Sequence, residues 1–364
     1  MKLSSLLFTS LSAAVMLTLA GCPEPTPEPP PDGSELDPPP AGEGVQLETP
    51  EFSVEPGDEV QNCYFFRVSD LTKAGGLDAT KPLNLHHVQI AQREGSHHMN
   101  VFRVKTRLGL DPDKALVVEN LNGAGECFKS SNWADWPLVA NSQQDGQLDW
   151  EFPEGVANVL EADEWLMVQT HYVNATTQKT PNAGKIRLNL WHMPDDEVVH
   201  EMGTIFATKQ SVRVCQSNPT PQYSGTCQIN SPDPVQIIGA NGHFHSRGKQ
   251  FDMYVWDGVS IDQPPDSERF YRSNAWDEPP MEISPDLDRT VPAKGGVFYT
   301  CEYQWNEPDP SVGCSGLDEF DAEKYGTSST NLDCCYTFGP IVEVNEHCNI
   351  FVYYYPKQDD VNCF

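Results

Sequence analysis

An all-β fold of sandwich-type domains is predicted by three features of the sequence. Proline is abundant, at 31 residues, and strand-type residues outnumber runs of Ala, Leu, Glu and Lys, which argues against a helical architecture. Strand-like segments recur along residues 49–364 with Pro, Gly, Asn and Asp clusters between them, as in two-sheet sandwiches. That stretch suits two domains of about 150 residues better than one.

The composition sets limits. Hydrophobic residues make up 38% and aromatics 10%, enough for packed cores and too much for a disordered chain. The 53 acidic against 23 basic side chains give a formal charge of −30. Such a surface repels phosphate backbones, so no nucleic-acid partner is expected. Beyond the extreme N-terminus no apolar run reaches 18 residues, so no mature transmembrane helix is expected.

The elements follow in order. Met1-Lys2, the apolar stretch Leu6 to Leu19 and the small residues before Cys22 read as a signal peptide over residues 1–21. Leu19-Ala20-Gly21-Cys22 resembles a bacterial lipoprotein signal, which implies a lipid on Cys22 and a membrane partner through it. Pro23, not aspartate, follows, so an outer-membrane lipoprotein, periplasmic or surface-exposed, is expected. Residues 22–48 read as a Pro- and acid-rich tether. Strands are predicted over Cys63–Val68, His87–Ala91, Met99–Val104, Leu166–Val173, Ile186–Trp191, Gln236–Ala240, Phe251–Trp256, Gly296–Tyr303 and Cys348–Tyr355. A break in periodicity near Met193-Pro194-Asp195-Asp196 divides the body into residues 49–200 and 201–364.

Eleven cysteines less the lipidated one leave an even number, which in an exported chain reads as about five disulfides. No C-x-x-C pair occurs, and the vicinal Cys334-Cys335 fits two separate bridges better than one.

No G-x-S-x-G, P-loop, H-E-x-x-H or strand-linked G-x-G-x-x-G is present. The histidines stand out instead. His243 and His245, two apart, point to one face of a strand and can share an ion. His97-His98 precede Met99, and joint ligation by adjacent residues requires a bulge, twist or strand end. His171 lies in Gln169-Thr170-His171-Tyr172, and His347 in Glu346-His347-Cys348-Asn349. His86, His87, His192 and His200 have no motif partner and read as structural or surface groups.

Together and in this order, these motifs resemble the type II copper, ascorbate-dependent monooxygenases, the family of peptidylglycine α-hydroxylating and dopamine β-monooxygenases. The resemblance runs from about Cys63 to Cys363. It implies two tandem jelly-roll β-sandwich domains with a copper-lined cleft between them, and two coppers per chain. His97, His98 and His171 would hold the first, His243, His245 and His347 the second. It also implies the bridges Cys63–Cys127, Cys301–Cys348 and Cys227–Cys363, leaving Cys215, Cys314, Cys334 and Cys335 to pair among themselves.

The activity so implied is hydroxylation of a substrate C–H bond by O2, with ascorbate or another one-electron donor as reductant. Gln169 would relay electrons or water across the cleft. The substrate side carries departures. Asn241 stands where the peptide-amidating members have an arginine and Phe351 where they have a tyrosine, although Asn349 is kept. Losing a guanidinium and a hydroxyl removes the grip on a carboxylate. A neutral or cationic small molecule, bound near Asn241, Asn349 and Phe351 by a monomeric enzyme, is therefore expected. His347 replaces the family's methionine, with Met253 or Met281 as alternative ligands. Two other readings stand beside the oxidoreductase: a non-catalytic copper-binding lipoprotein on this scaffold, and a structural sandwich without metal.

Overall fold

The computed structural model describes residues 34–105, 116–120, 136–143, 146–174, 182–314, 316–317, 333–339 and 341–364. The signal segment, Cys22 and Cys127 lie outside the described residues. The fold is all-β as the sequence predicts, with one short α-helix, Val68–Ala74, beside the strands. Each predicted strand is found, most of them longer than expected. Val104 and Cys348 fall just outside their strands, and Val68 starts the helix instead of ending a strand. Gly44–Glu48, read above as tether, is a strand of the body. Its alternate residues Val45 and Leu47 are buried while it pairs with Ile186–His192.

Strands up to Glu201 form one half of the body. In one sheet the order is Gly44–Glu48, Ile186–His192, Leu83–Gln92, Val156–Leu160, His200–Glu201, with Gly146–Glu151 also on Leu83–Gln92. The facing sheet runs Leu116–Asn120, Glu59–Arg67, Trp165–Val173, Ser96–Arg103, Leu138–Ser142. Strands from Gly203 form the other half. Gly203–Thr208, Asn349–Tyr355, Val235–His243 and Glu282–Ile283 make one sheet, and Arg269–Ser273, Gly248–Trp256, Gly296–Tyr303, Gln222–Ile229 and Val361–Cys363 another. Residues from Asp32 onward form one compact unit. Among the described residues no helix is long and apolar enough to cross a membrane.

Alternation assigns each strand face a task. In Trp165–Val173, Val168 and Thr170 turn into the first half with Tyr64, Met99 and Val101, their cross-strand or same-face neighbours. The other face carries Gln169 and His171 beside Asn100 and His98. In Asn349–Tyr355, Ile350, Val352 and Tyr354 fill the second core. Its opposite face carries Asn349, Phe351 and Tyr353, of which Phe351 and Tyr353 join the core of the first half. The halves therefore meet sheet face to sheet face. Phe102 packs on Phe206 at 5.6 Å between ring centroids, and Phe206 stacks on Phe351 at 5.1 Å. Asn141 donates to Asn241 (3.1 Å), Trp150 to Ser284 (3.1 Å) and Thr204 to the Leu138 carbonyl (2.8 Å).

Four disulfides are seen in the second half. Cys227–Cys363 and Cys301–Cys348 pair as expected, and Cys215–Cys335 and Cys314–Cys334 place the vicinal cysteines in different bridges. Cys63 is disulfide-bonded.

Gly239 marks where the halves approach closely. A Cβ there would sit 2.7 Å from Trp150 Cη2 and 3.0 Å from the Tyr353 ring. Trp150 is 1% exposed and tied to Ser284, so it has little room to yield. Gly239→Ala should cost about 1–3 kcal/mol of unfolding free energy through overpacking. A urea midpoint unchanged from the parent protein would show that the contact is slack.

Candidate metal centre

Adjacent histidines on a regular strand face opposite sides. The Ser96–Arg103 strand escapes this rule at the required place. Its pairing aligns His98 with His171 and then Ser96 with Tyr172, leaving His97 as an extra, bulged residue. A bulge kinks the strand and re-aims a side chain. The His97 and His98 rings lie 5.2 Å apart, and His171 stands 5.0 and 4.7 Å from them.

From the second half, the Val235–His243 strand ends at His243, with the His245 ring 5.2 Å away. His347 precedes the strand that pairs with this one, and its ring lies 4.4 Å from His245 and 5.5 Å from His243. The two sets then meet, because His243 also lies 5.0 Å from His97 and 5.2 Å from His98. The residues expected at two sites facing a cleft therefore lie side by side. The six imidazoles form one contiguous group, brought together by the face-to-face packing of the halves.

Within it, two triads have all their ligand atoms within 4.8 Å of one another: His97, His98 and His243, and His243, His245 and His347. His243 belongs to both. His171, expected as third ligand of the first set, turns Nε2 to the Glu59 carboxylate at 3.2 Å. The reason is positional. His171 pairs with Gln61 across the strands, so Glu59 is its diagonal neighbour on the same face. His347 lies beside His245 and His243, whereas Met253 lies in the core of the second half and Met281 packs against that of the first.

Burial lowers the pKa of His97, His98, His243 and His245 well below the ordinary 6.5, and the neighbouring imidazoles push the same way. All four are therefore neutral at pH 7, the form that ligates metals. His97 Nε2, His98 Nδ1 and both ring nitrogens of His243 are buried without a hydrogen-bond partner. Nδ1 of His245 lies 3.0 Å from the Asn345 carbonyl, a contact that assigns it the proton and leaves Nε2 for a ligand.

The chain beneath His245 and His347 is heavily braced. The Glu346 carboxylate accepts the backbone N–H groups of His245 (3.0 Å) and Arg247 (2.9 Å). Arg247 spans to the carbonyls of Val342 and Glu343 and stacks over Tyr336. Tyr303 donates its hydroxyl to the His347 carbonyl, and Cys301–Cys348 fixes the next residue. Glu346 was visible in sequence only as a motif neighbour, and Glu59 gave no signal because its role depends on strand register.

The other expected site residues lie next to the histidines, inside the joint between halves. Gln169 accepts from Asn100 at 3.1 Å, Asn241 accepts from Asn141, and Asn349 pairs across from His243. Phe351 is 2% exposed and stacked on Phe206, so it serves the packing of the halves. His87 stands apart, stacked on Trp191 and paired with Asp149. His192 accepts from the Asn84 backbone, and His200 packs on Tyr355.

No family model matches the chain, and no curated protein matches it. Among solved structures it is similar to PNGase F, a glycosylasparaginase from Flavobacterium meningosepticum, at 8% identity and TM-score 0.32, over 88% of this chain and 99% of that one. A recombinant N-glycanase F matches at 10% identity and TM-score 0.33, with the same shares covered. A peptide-N(4)-(N-acetyl-β-D-glucosaminyl) asparagine amidase matches at 8% and 0.24, over 90% and 97%. Likeness at this level carries no argument about the chemistry of this chain. The assignment to the ascorbate-dependent copper monooxygenases, and with it a C–H-hydroxylating oxidoreductase, is corrected: no model of that family and no curated member of it matches the chain.

The buried imidazoles predict how stability depends on pH. Below about pH 6.5 the unfolded chain protonates these four histidines while the folded protein keeps them neutral. Unfolding then takes up protons, so stability is lost on acidification, by about 1.4 kcal/mol per pH unit for each imidazole. Glu346 works the other way. Burial raises its pKa to about 7, so its contribution grows as pH falls from there, but it is one group against four. The melting temperature of chelator-treated protein should fall steadily from pH 6.5 to 5. A flat profile would mean the imidazoles are already charged in the fold.

Proposed function

We propose that this chain is a copper-binding protein, tethered to a bacterial outer membrane through a lipid on Cys22. The observation that carries the reading is the histidine group: two triads, ligand atoms within 4.8 Å, sharing His243. Buried imidazoles are ordinarily hydrogen-bonded. Here four ring nitrogens of three of these histidines have no partner, and a metal ion is what an all-imidazole site can accept.

The donor set fits copper. Imidazole suits zinc, copper, iron and nickel, and among divalent ions the affinity order peaks at Cu(II). Nitrogens bound at about 2.0 Å to a tetrahedral ion stand roughly 3.3 Å apart, so small side-chain rotations close either triad. Copper held there would supply a tightly bound cation able to accept or give one electron. The chain's own groups do the rest. Asn345 holds the proton on His245 Nδ1, Glu346 pins the His245 backbone, and the bulge aims His97 and His98 at the residues of the other half. His98 keeps partial exposure and offers an ion a way in. The charge of −30 concentrates cations around the molecule.

Metal analysis of the purified body, after dialysis against copper and a wash, should find it bound at a stoichiometric level. His243→Ala, which removes the residue common to both triads, should weaken copper binding by more than about 100-fold, beyond the 10–100-fold typical of losing an outer-shell partner. Competition against a chromophoric chelator measures this. Equal affinity in parent and variant would remove the histidine group as the site.

A further inference from the structure

His243 differs from the other members of the group. Both its ring nitrogens, Nδ1 and Nε2, are buried and without a partner, whereas His245 commits Nδ1 to the Asn345 carbonyl and His171 commits Nε2 to Glu59. It is also central. The His97 and His98 rings of the first half lie 5.0 and 5.2 Å from it, and the His245 and His347 rings of the second half 5.2 and 5.5 Å. A neutral imidazole has one N–H donor and one acceptor nitrogen, and no protein group meets either of them here. Each triad, moreover, is complete only with His243.

We infer that His243 bridges two copper ions, one nitrogen to each, so that His97 and His98 complete one ion's ligands and His245 and His347 the other's. This rests on the copper-binding reading above. The charge and proton balance is simple. The first ion takes the lone-pair nitrogen, and the second displaces the remaining N–H proton, which passes to solvent and leaves an imidazolate between two cations. Histidine ordinarily binds a metal as the neutral imidazole, so the proton released on binding the second ion is specific to the bridge. With bonds of about 2.0 Å on either side of the ring, the ions stand on the order of 6 Å apart, close enough for their unpaired electrons to couple through the imidazolate. The bridge also ties the two halves together through one side chain, since the first ion takes His97 and His98 from the first half and His243 from the second, while the second half supplies all three ligands of the other ion.

Stepwise addition of Cu(II) to the full-length protein, followed by electron paramagnetic resonance, tests this without a variant. The first equivalent should give a signal accounting for all the copper added. The second should lower the integrated signal to well under half of the copper bound, as the pair couples antiferromagnetically. His243→Ala should abolish that loss, so that whatever copper the variant binds is seen in full. Two equivalents giving an additive, uncoupled signal would overturn the bridge and leave the copper-binding reading intact. A single equivalent at saturation would overturn it also. Protein that takes up no copper would sink both.

Discussion

The contact on which the rest depends is the packing of one sheet face from each half against the other. Such faces normally turn outward and carry polar residues, as alternation along a strand allows. Here both are buried, and their side chains sort into layers along the strands. Phe102, Phe206 and Phe351 form an apolar layer. Asn100, Asn141, Gln169 and Asn241 form an amide layer beside it. The imidazoles lie beyond, at the ends of the same strands. Moving two residues along Val235–His243 or Trp165–Val173 passes from amide to imidazole, because residues two apart share a face.

This arrangement has opposing energetic consequences. The aromatic layer supplies the hydrophobic gain that closes the joint, and Trp150, bound to Ser284 across it, adds a large buried surface. The polar layers cost free energy wherever a group lacks a partner. Gln143 Oε1, Asn241 Nδ2 and Asn349 Oδ1 are buried without one, as are the ring nitrogens named above. Each such group costs about 1–3 kcal/mol. A protein retains that many orphans in one place when something outside the chain satisfies them, and for the nitrogens the proposed copper would do so.

The second half carries the heavier bracing. It holds the four described disulfides, one of which, Cys301–Cys348, adjoins His347. The Glu346 and Arg247 contacts act on the backbone, not on the rings, so they fix where the imidazoles start and leave their rotation free. In the first half the corresponding restraint is the bulge at His97 and the Glu59 contact on His171. Both depend on strand register, and neither involves a covalent link among the described residues.

Much of this was legible in the residues alone. Alternating strand patterns and turn clusters determined the all-β class, since period-two burial is a local property. The H-x-H spacing at His243 and His245, the need for a bulge at His97-His98, and the place of His347 beside Cys348 and Asn349 were equally local. Only the tertiary structure decided what the histidines belong to. The sequence divides them three and three, but His243 meets His97 and His98 because two sheet faces far apart in the chain pack together, and His171 is drawn to Glu59 by the register of a neighbouring strand. The Gly44–Glu48 strand was hidden for the same reason, its two apolar residues counting for little until Ile186–His192 lay beside them. Local spacing sets which side of a strand a residue faces; what it faces there is set by partners that chain order does not reveal.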